Sequence, residues 1–117
     1  MKQTYIVKVS TEGIVTREPF YADDSLAQLR AAVRGYIERV PVLMVTGHDL
    51  FVNEDGISEK LPFNEKLTRF VRGRTRNSLM EILGDGVFAA HDEEGNTLGL
   101  TEEECDDLER AIALAQE

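Results

Sequence analysis

The sequence predicts an α+β fold: a mostly antiparallel sheet of short, hairpin-linked strands packed with two amphipathic helices. Two observations lead there. Short runs rich in β-branched and aromatic residues are separated by turns built from Gly, Asn and Asp. Two longer segments, opening near Ser25 and near Thr101, carry apolar residues at helical spacing. Several short strands flanked by two such helices argue for a layered α+β arrangement. At 117 residues the chain fits one domain, residues 1–117. Its 42% hydrophobic content suffices for a core without metal or disulfide staples.

Taken in order, residues 4–9 (Thr-Tyr-Ile-Val-Lys-Val) read as a strand and Thr11-Glu12-Gly13 as a turn. Residues 14–20 return, and Pro19, which cannot donate to a ladder, places that strand at an edge or its end. Ser25 is the expected N-cap of a helix, with Gln28 at the capping-box position. Leu26, Leu29, Val33 and Ile37 form its apolar face, and Gly35 either permits close backbone approach or ends the helix early. After Pro41, residues 42–45 read as a third strand, and residues 49–52 as a short fourth. Asn53-Glu54-Asp55-Gly56 is turn chemistry, because those residue types tolerate positive φ. Residues 65–71 form a short helix with Leu67, Phe70 and Val71 on its apolar side. Residues 87–91 and 97–100 pair around the Asp92–Asn96 turn. Thr101 then caps the last helix, with Glu104 completing a capping box and Cys105, Leu108, Ile112 and Ala115 as its stripe.

Several short motifs follow one another in a set order. They are Gly35-Tyr36-Ile37-Glu38, Val52-Asn53-Glu54-Asp55-Gly56, Leu61-Pro62-Phe63-Asn64, Gly84-Asp85-Gly86-Val87-Phe88, Asp92-Glu93-Glu94-Gly95 and Leu100-Thr101-Glu102-Glu103-Glu104. Their order and spacing over residues 4–110 resemble the domain of unknown function 3846 family of small phage- and plasmid-borne bacterial proteins. The resemblance implies a mobile-element, cytoplasmic setting. It brings no established reaction and no catalytic residues. The Arg-rich stretch 69–76 is longer and more basic than the family's usual link, and Gly86 stands where a bulkier residue is typical.

Charge divides along the chain. Residues 1–76 hold 12 Lys/Arg against 10 Asp/Glu, whereas residues 77–117 hold only Arg110 against 12 acidic residues, within a total of −9. A surface this lopsided disfavours direct nucleic-acid binding and favours basic partners. No apolar run is long enough to span a bilayer, no secretory leader is evident, and a lone Cys105 fits a reducing compartment, so a cytoplasmic setting is expected.

Catalytic and metal constellations are not found. His48 and His91 lack metal-ligand spacing. Asp92-Glu93-Glu94-Gly95-Asn96 lacks the alternation of a calcium loop. Cys105 has Glu104, Asp106 and Asp107 as neighbours, which raise a thiol's pKa, and reads as a buried structural residue. No phosphate-binding glycine loop and no nucleophile elbow occurs. No catalytic residue, cofactor or metal is therefore assigned.

Charged surfaces remain. The acidic helix offers Glu102, Glu103, Asp106 and Asp107 to a basic surface on a host or mobile-element protein. Arg72, Arg74 and Arg76, beside Lys66 and Arg69, form a second patch. That patch reads as a solvated loop, a phosphate or acidic-partner grip, or one half of a head-to-tail homo-oligomer. Two alternatives to an interaction module stand. One is a small-ligand or enzymatic domain with a pocket near Tyr36, Glu38, Asn53 and Asn64. The other is an acidic nucleic-acid mimic acting against a host defence enzyme, which would call for carboxylates over more of the surface than residues 1–76 supply.

Overall fold

Side chains alternate across a strand, so each strand serves two layers at once. In β1 (Tyr5–Val9), Val7 and Val9 face one side and Ile6 the other, and all three are fully buried. The computed structural model describes residues 2–42, 47–75 and 79–117. It follows β1 with β2 (Val15–Pro19), a 3₁₀ turn (Ala22–Asp24), α1 (Ser25–Val33), β3 (Ile37–Val40) and β4 (His48–Asn53). Then come α2 (Glu65–Arg72), β5 (Gly86–His91), β6 (Thr97–Leu98) and α3 (Glu102–Leu114). The strands lie in the order β2-β1-β5-β4-β3, every pairing antiparallel, with β6 added to β5. The α+β architecture expected from the sequence is the one observed.

One sheet face packs Val7, Leu50 and Phe88 against Leu67 and Phe70 of α2 and Cys105, Leu108 and Ile112 of α3. Phe70 meets Phe88 edge-on, with ring centroids 5.6 Å apart, a favoured aromatic geometry. The opposite face packs Ile6, Val87 and Ala89 against Leu29, Ala32 and Val33 of α1. The result is a sheet between one helix and two. No helix among the described residues is long and apolar enough to cross a membrane.

Four expectations need correction. The first helix does not run on to Ile37. Arg34 adopts a left-handed conformation (φ 62°) and its N–H bonds back to Arg30 O, a helix-ending motif. Gly35 then passes so close to Asn53 that a Cβ there would lie 2.6 Å from the Asn53 amide nitrogen. The close-approach reading of Gly35 holds, whereas the helix is ended one residue earlier, by Arg34, and Ile37 opens β3. Second, Ser25 is the first residue of α1 and makes no cap bond. Gln28 instead donates to Pro19 O at 2.7 Å and accepts from Tyr21 N at 3.0 Å. Two backbone groups of the incoming chain satisfy that amide together, which a capping box would not. Third, the strand paired with β4 is Ile37–Val40; of the strand expected at 42–45, residues 43–45 lie outside the described residues. Fourth, the return strand stops at Leu98, because Leu100 turns to exchange backbone bonds of 2.8 and 2.7 Å with Tyr5.

Gly86 has a packing role. A Cβ there would come within 2.2 Å of Leu67 Cδ2, so the missing side chain admits the fully buried Leu67 of α2 to the sheet.

Candidate functional site

The last helix begins as its sequence requires. Thr101 Oγ1 accepts from Glu104 N at 3.1 Å while Glu104 Oε1 accepts from Thr101 N at 2.9 Å, a complete capping box. Glu104's other carboxylate oxygen meets His48 Nε2 of β4. Burial pushes the Glu104 carboxyl up, but the bonds from Thr101 and His48 outweigh it and hold it below its ordinary range. Cap and histidine thus pin the first turn of α3 to the sheet.

Rotation of α3 is set by its buried stripe of Cys105, Leu108 and Ile112. With that stripe inward, Glu102, Glu103, Asp106 and Asp107 all stand exposed on the outer side. They are not equivalent. Arg17 of β2 reaches across, Nη2 to Asp106 Oδ1 and Nε to Glu109 Oε2, both at 2.5 Å. These bonds raise the Arg17 pKa, Glu109 contributing most. Asp107 pairs with Arg110 at 3.0 Å, an exposed i,i+3 pair. Among the described residues no ion pair engages Glu102 or Glu103. The β5–β6 turn exposes Glu93 and Glu94 as well. There Asp92 accepts the N–H groups of Glu94 and Asn96 at 2.9 Å, and the bonds from Asn96 lead in lowering its pKa.

The basic patch is largely engaged by the chain itself. Arg69 bonds Glu65 at 2.8 Å and Gln116 O at 3.3 Å. Arg72 donates to Met80 O at 3.0 Å, and Arg74 lies 4.5 Å over the Phe70 ring. Arg76 lies outside the described residues. Gln116 also donates to Lys66 O at 3.0 Å, so basic α2 and acidic α3 are neighbours on one side of the sheet.

Tyr36, Glu38, Asn53 and Asn64 do not share one pocket. Asn53 is buried; its amide donates to Val33 O at 3.1 Å and accepts from Asp55 N at 2.7 Å. Asn64 caps α2, accepting from Leu67 N at 3.0 Å and donating to Val9 O and Gly84 O at 3.1 and 3.0 Å. Tyr36 is exposed with the Arg30 guanidinium 4.9 Å over its ring. Glu38 and Asn53 do border a common groove of about 600 Å³. A separate cleft of about 330 Å³ lies beside Lys8 and Asp85, which pair at 3.6 Å.

Sequence reasoning passed over Arg17; it weighed His91 and Asp49 as metal ligands but not their pairing, with Arg39, on the α1 side of the sheet. There His91 Nδ1 donates to Asp49 Oδ2 at 2.6 Å, and Arg39 approaches Asp49 Oδ1 at 3.5 Å. A signal existed for Arg17. It sits opposite Val7 in the ladder, at an inward-facing position two residues from Val15. A charge there requires a partner in the next layer. Among the described residues, no group of three or more His, Cys, Asp or Glu could hold a metal ion. Cys105 is fully buried, and burial pushes its thiol up to about 11.

A family model described as a domain of unknown function (DUF3846) matches residues 2–113. No curated protein and no solved structure matches the chain.

Proposed function

The chain belongs to the DUF3846 family, a domain of unknown function, and from that premise we propose that it is a protein-interaction module whose contact surface is the acidic outer face of α3. The supporting observation is the way that face is held. A capped, packed helix presents Glu102, Glu103 and Asp107 on a fixed scaffold, so little side-chain-bearing backbone must be ordered on contact. Arg17, seated between Asp106 and Glu109, is the chain's own example of a guanidinium docking on this helix. The partner is a host or mobile-element protein with a basic, Arg-rich surface, met in the cytoplasm.

Affinity capture from host lysate at physiological salt tests this reading. The wild type and the Glu102→Lys, Glu103→Lys, Asp107→Lys triple variant are compared, with an unrelated acidic protein as control. The variant should lose the captured protein while its melting temperature stays within about 2 °C, since exposed substitutions cost little. A partner retained at unchanged yield refutes the α3 face. A second reading, a small-ligand domain, draws on the cleft beside Lys8 and Asp85. It predicts a rise in melting temperature with a small molecule, lost in Lys8→Ala.

A further inference from the structure

Among the described residues the sheet ends at β3, and no described strand pairs with its outer edge. Tyr36 O accepts from Glu54 N at 2.9 Å, so in the antiparallel ladder Tyr36, Glu38 and Val40 bond inward to β4. Ile37 and Arg39 therefore direct their N–H and C=O groups away from the sheet. Beside this edge, on the face that carries α2 and α3, runs the groove of about 600 Å³. Its apolar lining includes Val40, Val52 and Ile82, with Ile57 85% exposed at its mouth. Glu38, Glu54 and Glu81 stand exposed around it. Arg39 also borders the groove, but its guanidinium is drawn to Asp49, 3.5 Å away.

A second copy is a poor occupant. A closed two-fold pairing of β3 with itself is antiparallel and keeps both helix layers on the same side. Directly opposed residues must then point to the same face, so each register is centred on one residue meeting its own copy. The registers overlapping most of the four-residue strand set Glu38 against Glu38 or Arg39 against Arg39. Like charges directly opposed destabilise a pair, which is how natural edges resist self-association. A foreign strand has no such constraint.

We propose that β3 and its groove bind an extended segment of a partner protein as an added antiparallel strand, with an apolar side chain opposite Val40 and a Lys or Arg opposite Glu38. The two positions are two residues apart and share the groove face. There the apolar side chain extends the lining formed by Val40 and Val52, and the cation meets Glu38, Glu54 and Glu81. Backbone bonds to Ile37 and Arg39 supply the sequence-independent part, as in other strand-addition complexes. This surface is separate from the outer face of α3.

The test uses the whole chain, ¹⁵N-labelled, with a seven-residue peptide containing Val-Thr-Lys-Val and a control containing Val-Thr-Glu-Val. The Lys peptide should slow hydrogen exchange at the Ile37 and Arg39 amides. It should also bind about fivefold more tightly than the control, the size expected when an attractive cross-strand pair becomes repulsive. Glu38→Lys should invert that order. Equal binding of the two peptides overturns the proposal, as does a response confined to other residues. So does strong protection of the Ile37 and Arg39 amides in the dilute protein alone, which would mean that the chain or a second copy already covers the edge.

Discussion

Arg17 and Glu109, 92 positions apart in sequence, meet side chain to side chain at 2.5 Å, Nε to Oε2. The bond joins the edge strand β2 to the middle of α3, and the same guanidinium holds Asp106. It does two things. It fastens the acidic helix to the sheet, and it neutralises part of that helix from below, leaving Glu102 and Glu103 as the carboxylates without an ion pair among the described residues.

Arg17→Ala should therefore have opposite effects on stability and on binding. The three side chains are 27%, 55% and 34% exposed, so solvent screens the pairs and their loss should cost only about 1 kcal/mol. In thermal unfolding that is a fall of roughly 4 °C, shrinking in 1 M salt. The two released carboxylates should strengthen binding to a basic partner through α3. A melting temperature unchanged at low salt would show that the clamp carries no load. Weaker partner binding would remove Asp106 and Glu109 from the contact surface.

Asn64 and Asn53 are expected to be the costliest polar substitutions. Each amide is buried and bonded to backbone groups distant in sequence. Asn64→Ala removes the α2 cap and strands Val9 O and Gly84 O without their donor. Leaving buried groups unsatisfied, together with the lost cap, should cost about 2–3 kcal/mol. Asn53→Ala should cost about 2 kcal/mol by freeing Val33 O at the end of α1. Urea unfolding should show both as lower midpoints at unchanged slope. Asn64→Asp should keep the cap bond yet remain destabilised, because a carboxylate donates to neither carbonyl. Wild-type stability in Asn64→Ala would refute the bracket role.

How much of this was legible in the sequence follows from the range of each interaction. The α3 capping box was, because Thr101 and Glu104 are three residues apart and local spacing decides the geometry. The end of α1 was only half legible. Ile37 continues the helical spacing of Leu29 and Val33, yet Arg34 and Gly35 turn the chain, and the partner that makes the turn favourable, Asn53, lies elsewhere in sequence. Asn53 and Asn64 read equally as pocket groups or as turn-satisfying amides, because sequence shows a polar residue in a motif but not the carbonyls it satisfies. The Arg-rich patch looked freer than it is for the same reason: the Phe70 ring and Met80 O are tertiary partners. What most resisted reading was the position of β3 at the end of the described sheet, since strand order is set by tertiary pairing.

Cys105 supplies the pH test. Its thiol is fully buried on the inner side of α3, and burial raises its pKa from 9.0 to about 11. The unfolded chain exposes the thiol and releases its proton near the lower value. Between pH 9 and 11 the folded state thus binds more protons than the unfolded state, and raising the pH favours unfolding. The contribution is complete below pH 9 and is lost as pH rises through 11, to a total of roughly 2–3 kcal/mol. Urea midpoints for wild type should fall across that window, and those for Cys105→Ala, a smaller and non-titrating residue, should fall less. In parallel, a thiol reagent such as iodoacetamide should label the native protein at pH 8 far more slowly than the urea-unfolded chain. Equal labelling rates would place the thiol at the surface and with it the inner stripe of α3, so that the rotation presenting Glu102 and Glu103 outward would also be wrong.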